Sequence, residues 1–238
     1  MFEFIKRMAE VSIVPTINLP TVKLGKDGDV NKVYMGIFKS GRGKKPYIVY
    51  SAGIGDCINF ELDLLNMLKQ NNIEVELFAI DPTPKALEFL SQQDLPDNFH
   101  VLPYALSDRD SKLDFALPQS DGWISGSAAD VKQDSRNFDF NRKIQVEGRT
   151  IESIMKELGH NGIDLLKMDI EGSEFDVLEE ALNKKLNIIE MCVDHHEYML
   201  KHGRRRMIKL LSLLKGNYDI ICTEDSGNKN FCCILKEH

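Results

Sequence analysis

The 238-residue chain has no apolar run long enough to cross a bilayer. Its opening stretch, MFEFIKRMAEVSIVP, breaks short apolar pieces with charged residues. That pattern offers neither a signal h-region nor a membrane span, so the expected location is the cytoplasm. Basic charge is also in short supply, with 30 Lys and Arg against 37 Asp and Glu and a formal net charge of −7. A surface of that sign argues against nucleic acid or anionic lipid as the partner and leaves a small-molecule or carbohydrate partner open. The five cysteines, Cys57, Cys192, Cys222, Cys232 and Cys233, lack zinc-type CxxC spacing and read as reduced core thiols. There is no internal repeat, coiled coil or low-complexity tract, and Trp123 is the one tryptophan. The basic string KHGRRR reads as the solvated side of a helix.

What is present is organised around Ile163 to Leu182, IDLLKMDIEGSEFDVLEEAL. Ile163, Leu165, Leu166, Met168 and Ile170 form a strand-length apolar run. An acidic, glycine-containing turn follows, and then Phe175, Leu178, Ala181 and Leu182 take up helical spacing. So apolar a run suits a central strand covered on both faces, which places Asp169 and Glu171 at its carboxyl end, where open α/β sheets hold ligands. Glu171 reads first as an acid complementing a helix dipole, and Ser173 as a cap. Asp169, close to the strand end, needs a partner if it is withdrawn from water, and it reads as functional.

Upstream, Tyr47 to Tyr50 form a strand, residues 51–56 a glycine turn, and Ile58, Leu62, Leu65 and Leu68 one face of a helix. Val75 to Ile80 is a second strand, closed by Asp81-Pro82-Thr83-Pro84, and Phe99 to Leu106 a third. Lys112 to Leu117 extends the sheet. Residues 118–146 show no periodicity and read as a lid-like insertion. Thr150 opens a helix that Gly159 closes. Asn187 to Val193 is a further strand, Arg204 to Leu214 an amphipathic helix, and Tyr218 to Cys222 with Phe231 to Leu235 an antiparallel hairpin. The alternation predicts a Rossmann-like doubly wound α/β sheet of class I methyltransferase type, mostly parallel with an antiparallel terminal strand. Residues 1–46 are expected to be an extension packed on a single domain spanning 47–238.

Gly53 and Gly55 follow a strand and open a helix, so their backbone can approach a ligand closely. A dinucleotide site would want a third glycine where Ile58 stands, which favours a nucleoside carrying a carboxylate over a pyrophosphate. Asp81 ends the second strand, where an acid accepts hydrogen bonds from ribose hydroxyls; its plainer role is to start a turn. Ala105, Leu106 and Ser107 end the third strand, where a purine would be flanked. Asp194 and His196 end the strand expected beside that of Asp169. An imidazole there suits a general base at neutral pH, and Asp169, Asp194 and His196 together would equally suit a divalent metal. Their plainer reading is a cap and solvated rings.

The run TIESIMKELGHNGIDLLKMDIEGSEFDVL, with YSAGIGD and AIDPTP upstream and CVDHH downstream, resembles the FkbM-type methyltransferases over about residues 47–196. The resemblance implies S-adenosylmethionine as methyl donor and O-methylation of a sugar, glycan precursor or other natural-product hydroxyl. By position, Ser51, Gly53, Gly55, Asp81, Ala105, Leu106, Ser107 and Asp169 would bind the donor, and Asp169, Asp194 and His196 would carry the chemistry. Trp123, Ser125, Glu171 and His195 would contact the acceptor. Two departures stand out: Tyr50-Ser51-Ala52 replaces the family's acid leading into the turn, and Asp194 replaces its more usual glutamate. The alternatives are a nicotinamide-dependent oxidoreductase and a non-catalytic S-adenosylmethionine-binding regulatory domain.

Overall fold

The computed structural model describes residues 11, 13–26, 29–39, 45–119, 126–127, 138–223 and 230–236. A seven-stranded sheet forms the centre. Its strands are β3 (Tyr47–Ala52), β4 (Val75–Ile80), β5 (Phe99–Leu102), β9 (Ile163–Met168), β10 (Ile188–Asp194), β11 (Tyr218–Thr223) and β12 (Asn230–Leu235). They lie in the order β11-β12-β10-β9-β3-β4-β5. All neighbours are parallel except the two pairs that β12 makes with β10 and β11. The chain runs outward from β3 to β5 on one side, then restarts at β9 and runs through β10 to the edge strand β11 on the other, with β12 returning between β10 and β11. The boundary between β3 and β9 is therefore the topological switch point, the crevice where such sheets bind ligands.

Alternation along each strand divides its side chains between the two faces. Tyr50, Ala52, Phe78, Leu166, Met168, Met191 and Val193 pack on one face against α3 (Ile151–Leu158), α4 (Glu174–Asn183) and α5 (Gly203–Asn217). Val49, Leu77, Ala79, Leu165 and Cys192 pack on the other against α1 (Asn59–Gln70) and Leu90 of α2 (Pro84–Ser91). The hairpin of β1 (Val22–Lys26) and β2 (Asp29–Val33) adds Leu24 and Val33 to this second core. Tyr34 N donates to the buried Glu190 carboxylate at 2.7 Å, tying the amino-terminal region to β10. Cys192, Cys232 and Cys233 are buried thiols, and the first and second donate to Lys32 O.

Helix punctuation follows the sequence. Thr150 accepts from Ser153 N at the start of α3, and Gly159 ends that helix at φ +71°. Two strand readings differ from expectation. Pro103 interrupts the expected third strand, and β6 (Ala105–Leu106) joins a separate three-stranded sheet with β7 (Ser111–Pro118) and β8 (Phe138–Arg149). The aperiodic stretch 118–146 thus ends in strand, because residues 138–146 pair with β7. Alternation is hidden there by an exposed face and by a bulge between Ala116 and Leu117. Among the described residues no helix is long and apolar enough to cross a membrane.

Candidate active site

The end of β3 is bound to the end of β9 at the switch point. Asp169 N donates to Ala52 O at 2.9 Å, and Gly53 N to Ile80 O at 3.0 Å. Gly53 sits at φ +80°, and a Cβ placed there would fall 1.7 Å from the carbonyl oxygen of Asp169. Only glycine lets these strand ends approach so closely. Beneath the turn, Lys167 is 3 % exposed and donates to Gly53 O at 3.2 Å. Its ammonium lies 3.9 Å from the Glu61 carboxylate, which accepts from Ser51 Oγ at 2.5 Å. Ser51 is fully buried in this network, below the turn. Its side chain is therefore not among those that line the cavity described next.

Above the strand ends lies a cavity of about 290 Å³, lined among others by Gly53, Gly55, Asp81, Ala105, Leu106 and Asp169. Tyr104, Phe115 and Glu171 line it as well. Tyr104 is backed by the Arg149 guanidinium, 5.0 Å from its ring centre. Ser107 is not among the lining residues: its amide donates to Arg149 O and its hydroxyl to Asp108.

The Asp81 carboxylate is 5 % exposed and engaged by the protein itself. One oxygen accepts from Ile54 N and Gly55 N at 3.0 and 3.1 Å, and the other from Thr83 N and Thr83 Oγ1 at 2.8 and 2.6 Å. These four bonds fill the usual lone-pair sites of a carboxylate. Asp81 here shapes the glycine turn and the start of α2, and it also lines the cavity.

At the far end of the cavity an acidic cluster surrounds His196. Its Nε2 faces Asp169 Oδ1 at 3.7 Å and Glu171 Oε2 at 3.6 Å, while Nδ1 is hydrogen-bonded to Glu174 Oε1 at 3.0 Å. Glu174 is fully buried and also accepts from Ile170 N and Gly172 N, both at 2.9 Å. Burial of the ring opposes its charge. The Glu174 charge and hydrogen bond, then Glu171 and Asp169, outweigh burial and lift the imidazole to about 10. The surrounding carboxylates thus favour the charged form of the ring over the neutral one.

Asp194 is pushed up to about 7, by burial first and then by the Asp169 charge, against the opposing pull of His196. The hydrogen bond at Nδ1 of His196 comes from Glu174. The sequence reading missed Glu174 because an acid in the first turn of a helix is ordinary, and its only signal was the spacing E-G-S-E. His195 also departs from expectation: it is 2 % exposed, paired through Nδ1 with Glu197 at 2.5 Å and set near Phe231, and it does not line the cavity. Tyr198, also missed, is 44 % exposed with its ring 5.9 Å from that of His196. Burial and then the Glu171, Asp194 and Asp169 charges hold its hydroxyl well above the usual phenol range. Trp123 and Ser125 lie outside the described residues. The nearby Ser127 is described, and its hydroxyl donates to Glu171 O at 2.8 Å.

A seven-stranded sheet in this order, with a glycine turn and an acid-lined cavity at its switch point, defines the class I methyltransferase fold. Within that class the chain belongs to the FkbM methyltransferase family, whose profile, described as Methyltransferase FkbM domain, matches residues 52–219. The chain is 30% identical over 150 residues to the 2-O-methyltransferase NoeI of Sinorhizobium fredii (strain NBRC 101917 / NGR234). That match covers 58% of this chain and 62% of NoeI, less than two thirds of the relative's length. Among solved structures it is similar to the methyltransferase FkbM of Methylobacillus flagellatus KT, at TM-score 0.47 and 13% identity over 82% of this chain and 45% of that one. A human methyltransferase 10 domain containing protein gives TM-score 0.42 and 10% identity, over 84% and 76% of the two chains.

Proposed function

We propose that this protein is an S-adenosylmethionine-dependent O-methyltransferase acting on a hydroxylated small molecule or glycan precursor. The observation that carries the reading is the cavity, which begins at Gly53, Gly55 and Asp81 and ends at Asp169 and Glu171. Its first part suits a nucleoside: the turn brings backbone close, and Tyr104, Ala105, Leu106 and Phe115 offer apolar and aromatic surface for a purine. Its second part offers carboxylates to a hydroxyl. The name of NoeI, a 2-O-methyltransferase, supports oxygen as the accepting atom.

The donor, when bound, supplies a methyl group on a sulfonium. The protein's part is to hold the acceptor oxygen in line with that methyl, and most of the rate enhancement comes from this alignment. With the donor bound, the carbon–sulfur bond would break with its electron pair passing to sulfur as the acceptor oxygen bonds to carbon. The hydroxyl proton passes to the carboxylates at the cavity's end. Asp169 and Glu171 face the cavity and receive the hydroxyl, and His196, tied to Glu174, fixes their spacing.

Calorimetry against S-adenosylmethionine, S-adenosylhomocysteine and NAD tests the donor. The expected result is binding of the first two and none of NAD. Binding of NAD alone would overturn the reading in favour of an oxidoreductase. Transfer of labelled methyl to hydroxylated acceptors tests the reaction, and donor binding without turnover on any of a broad glycan panel would favour a regulatory domain.

A further inference from the structure

We infer that Asp169, Glu171 and His196 form a site for a divalent cation of the magnesium and manganese class, and that the ion holds the acceptor through two neighbouring hydroxyls. The second part rests on the methyl-transfer reading above; the first does not. One donor atom from each residue lies within 4.8 Å of the others, and the imidazole Nε2 is 3.6 and 3.7 Å from the two carboxylates. A cation about 2.1 Å from each of three donors keeps them about 3.0–3.4 Å apart, so the imidazole and the two carboxylates would draw together around the ion by side-chain rotation.

The second observation is the ring itself. The His196 side chain is 10% exposed, and its Nε2 is aimed between the two carboxylates at distances too long for a hydrogen bond. Its other nitrogen is fixed by Glu174, which is itself held by Ile170 N and Gly172 N. A carboxylate anchoring the far nitrogen of an imidazole is the arrangement that orients a metal-binding histidine. A divalent ion would take the place of the Nε2 proton, between the same two oxygens.

The donor set also selects the ion. Two carboxylates and one imidazole, with no thiolate, suit hard cations that keep several open positions. Three protein donors on an octahedral ion leave about three positions free, enough for two adjacent hydroxyls of a sugar ring and a water. Coordination would make one of those hydroxyls more acidic. Asp169 and Glu171 line the donor cavity as well, so a hydroxyl held on the ion would face the methyl group. Local structure supplies this juxtaposition. One turn after β9 gives two ligands, with Glu171 at φ +54° and its carbonyl held by Ser127, and the neighbouring parallel strand β10 leads to the third.

The test is Mn²⁺ binding to the full chain after chelation and desalting, followed by electron paramagnetic resonance. The expected result is one bound ion per chain, with nitrogen modulation from a directly bound imidazole. That modulation should vanish in His196→Gln, and affinity should fall at least tenfold in Glu171→Gln, the more exposed and safer substitution. Circular dichroism confirms that each variant is folded. Absence of Mn²⁺ binding, or binding that both folded variants retain, would overturn the site. Calorimetry with S-adenosylmethionine on the same samples separates the two readings: donor binding without Mn²⁺ binding removes the metal and leaves methyl transfer standing. If Mn²⁺ does bind, acceptors with vicinal diols should outcompete matched mono-ols at least tenfold, and equal turnover of the two would overturn chelation of the acceptor.

Discussion

Glu174 reaches across 22 residues to hold Nδ1 of His196 at 3.0 Å, and that bond decides which ring nitrogen faces Asp169 and Glu171. The same carboxylate accepts from Ile170 N and Gly172 N, so one fully buried side chain sets both the turn after β9 and the ring beside it. Glutamine at 174 keeps the shape but has a single acceptor oxygen and brings donors toward donors. Glu174→Gln is therefore expected to lose about 1.5–3 kcal/mol of stability in urea denaturation, the range for hydrogen bonds to a charged group. A variant as stable as the wild type would show that the carboxylate is not what holds this turn.

Gly53 and Gly55 both have positive φ, +80° and +60°, yet their surroundings differ. A Cβ at Gly53 meets the Asp169 backbone at 1.7 Å, whereas one at Gly55 meets nothing within 4 Å. Gly55→Ala should cost only the left-handed conformational penalty, about 1–2 kcal/mol. Gly53→Ala must in addition push β3 away from β9, so it should lower the melting temperature further and abolish calorimetric donor binding. Equal effects from the two substitutions would contradict the close approach at the switch point.

The central sheet was legible because its strands are apolar on both faces and its helices carry ordinary start and stop signals. Thr150, Pro84 and Gly159 mark boundaries that the structure reproduces. The second sheet was not legible, because β8 is largely exposed and its pairing with β7 passes through a bulge. Gly53, Gly55, Ala105, Leu106 and Asp169 stand out in the sequence by their positions at strand ends, and in the structure they line the cavity. Ser51, Ser107 and His195 stand at equally plausible positions, but their side chains turn to partners within the protein. Side-chain direction after the last strand residue depends on tertiary contacts, which spacing does not encode. The histidine's raised pKa was hidden for the same reason: it comes from carboxylates on a distant segment, 169–174, Glu174 above all.

His160 gives a pH signature far from the site. Its Nδ1 is 2.8 Å from the hydroxyl of the buried Tyr50, and its ring packs edge-on to Phe78. Burial holds its pKa below 6.5; the Glu76 charge opposes this and the His100 charge adds to it. The unfolded chain therefore takes up this proton before the folded chain does. Stability from this group is fully present above about 6.5 and declines as pH falls toward the lower folded value. His160→Gln keeps an acceptor for Tyr50 and removes the titration. Between pH 7.5 and 5 the wild type should lose more stability than this variant, by a small margin because the ring is partly exposed. The comparison also cancels the nearby His100–Glu76 pair, which both proteins contain. An equal or larger loss in His160→Gln would show that the ring is not held neutral.

The last prediction separates two roles for Asp81. If its carboxylate serves the protein as the structure has it, then Ile54 N, Gly55 N, Thr83 N and Thr83 Oγ1 all depend on it, and the glycine turn loses its shape when it is removed. If it serves a ribose, its loss should spare the fold. Asparagine at 81 has one acceptor oxygen and can satisfy one pair of these donors but not both. Asp81→Asn and Asp81→Ala should therefore lower both thermal stability and donor affinity, in that order of severity. The loss of affinity should be about ten- to hundredfold in dissociation constant, corresponding to a charge-assisted bond of about 1.5–3 kcal/mol. Scanning calorimetry and donor titration on the same samples read the two effects together. A wild-type melting temperature with strongly weakened binding would return the carboxylate to the ribose. A lowered melting temperature with weakened binding would confirm that it acts on the donor by shaping the turn. Wild-type values of both would remove Asp81 from the donor site altogether.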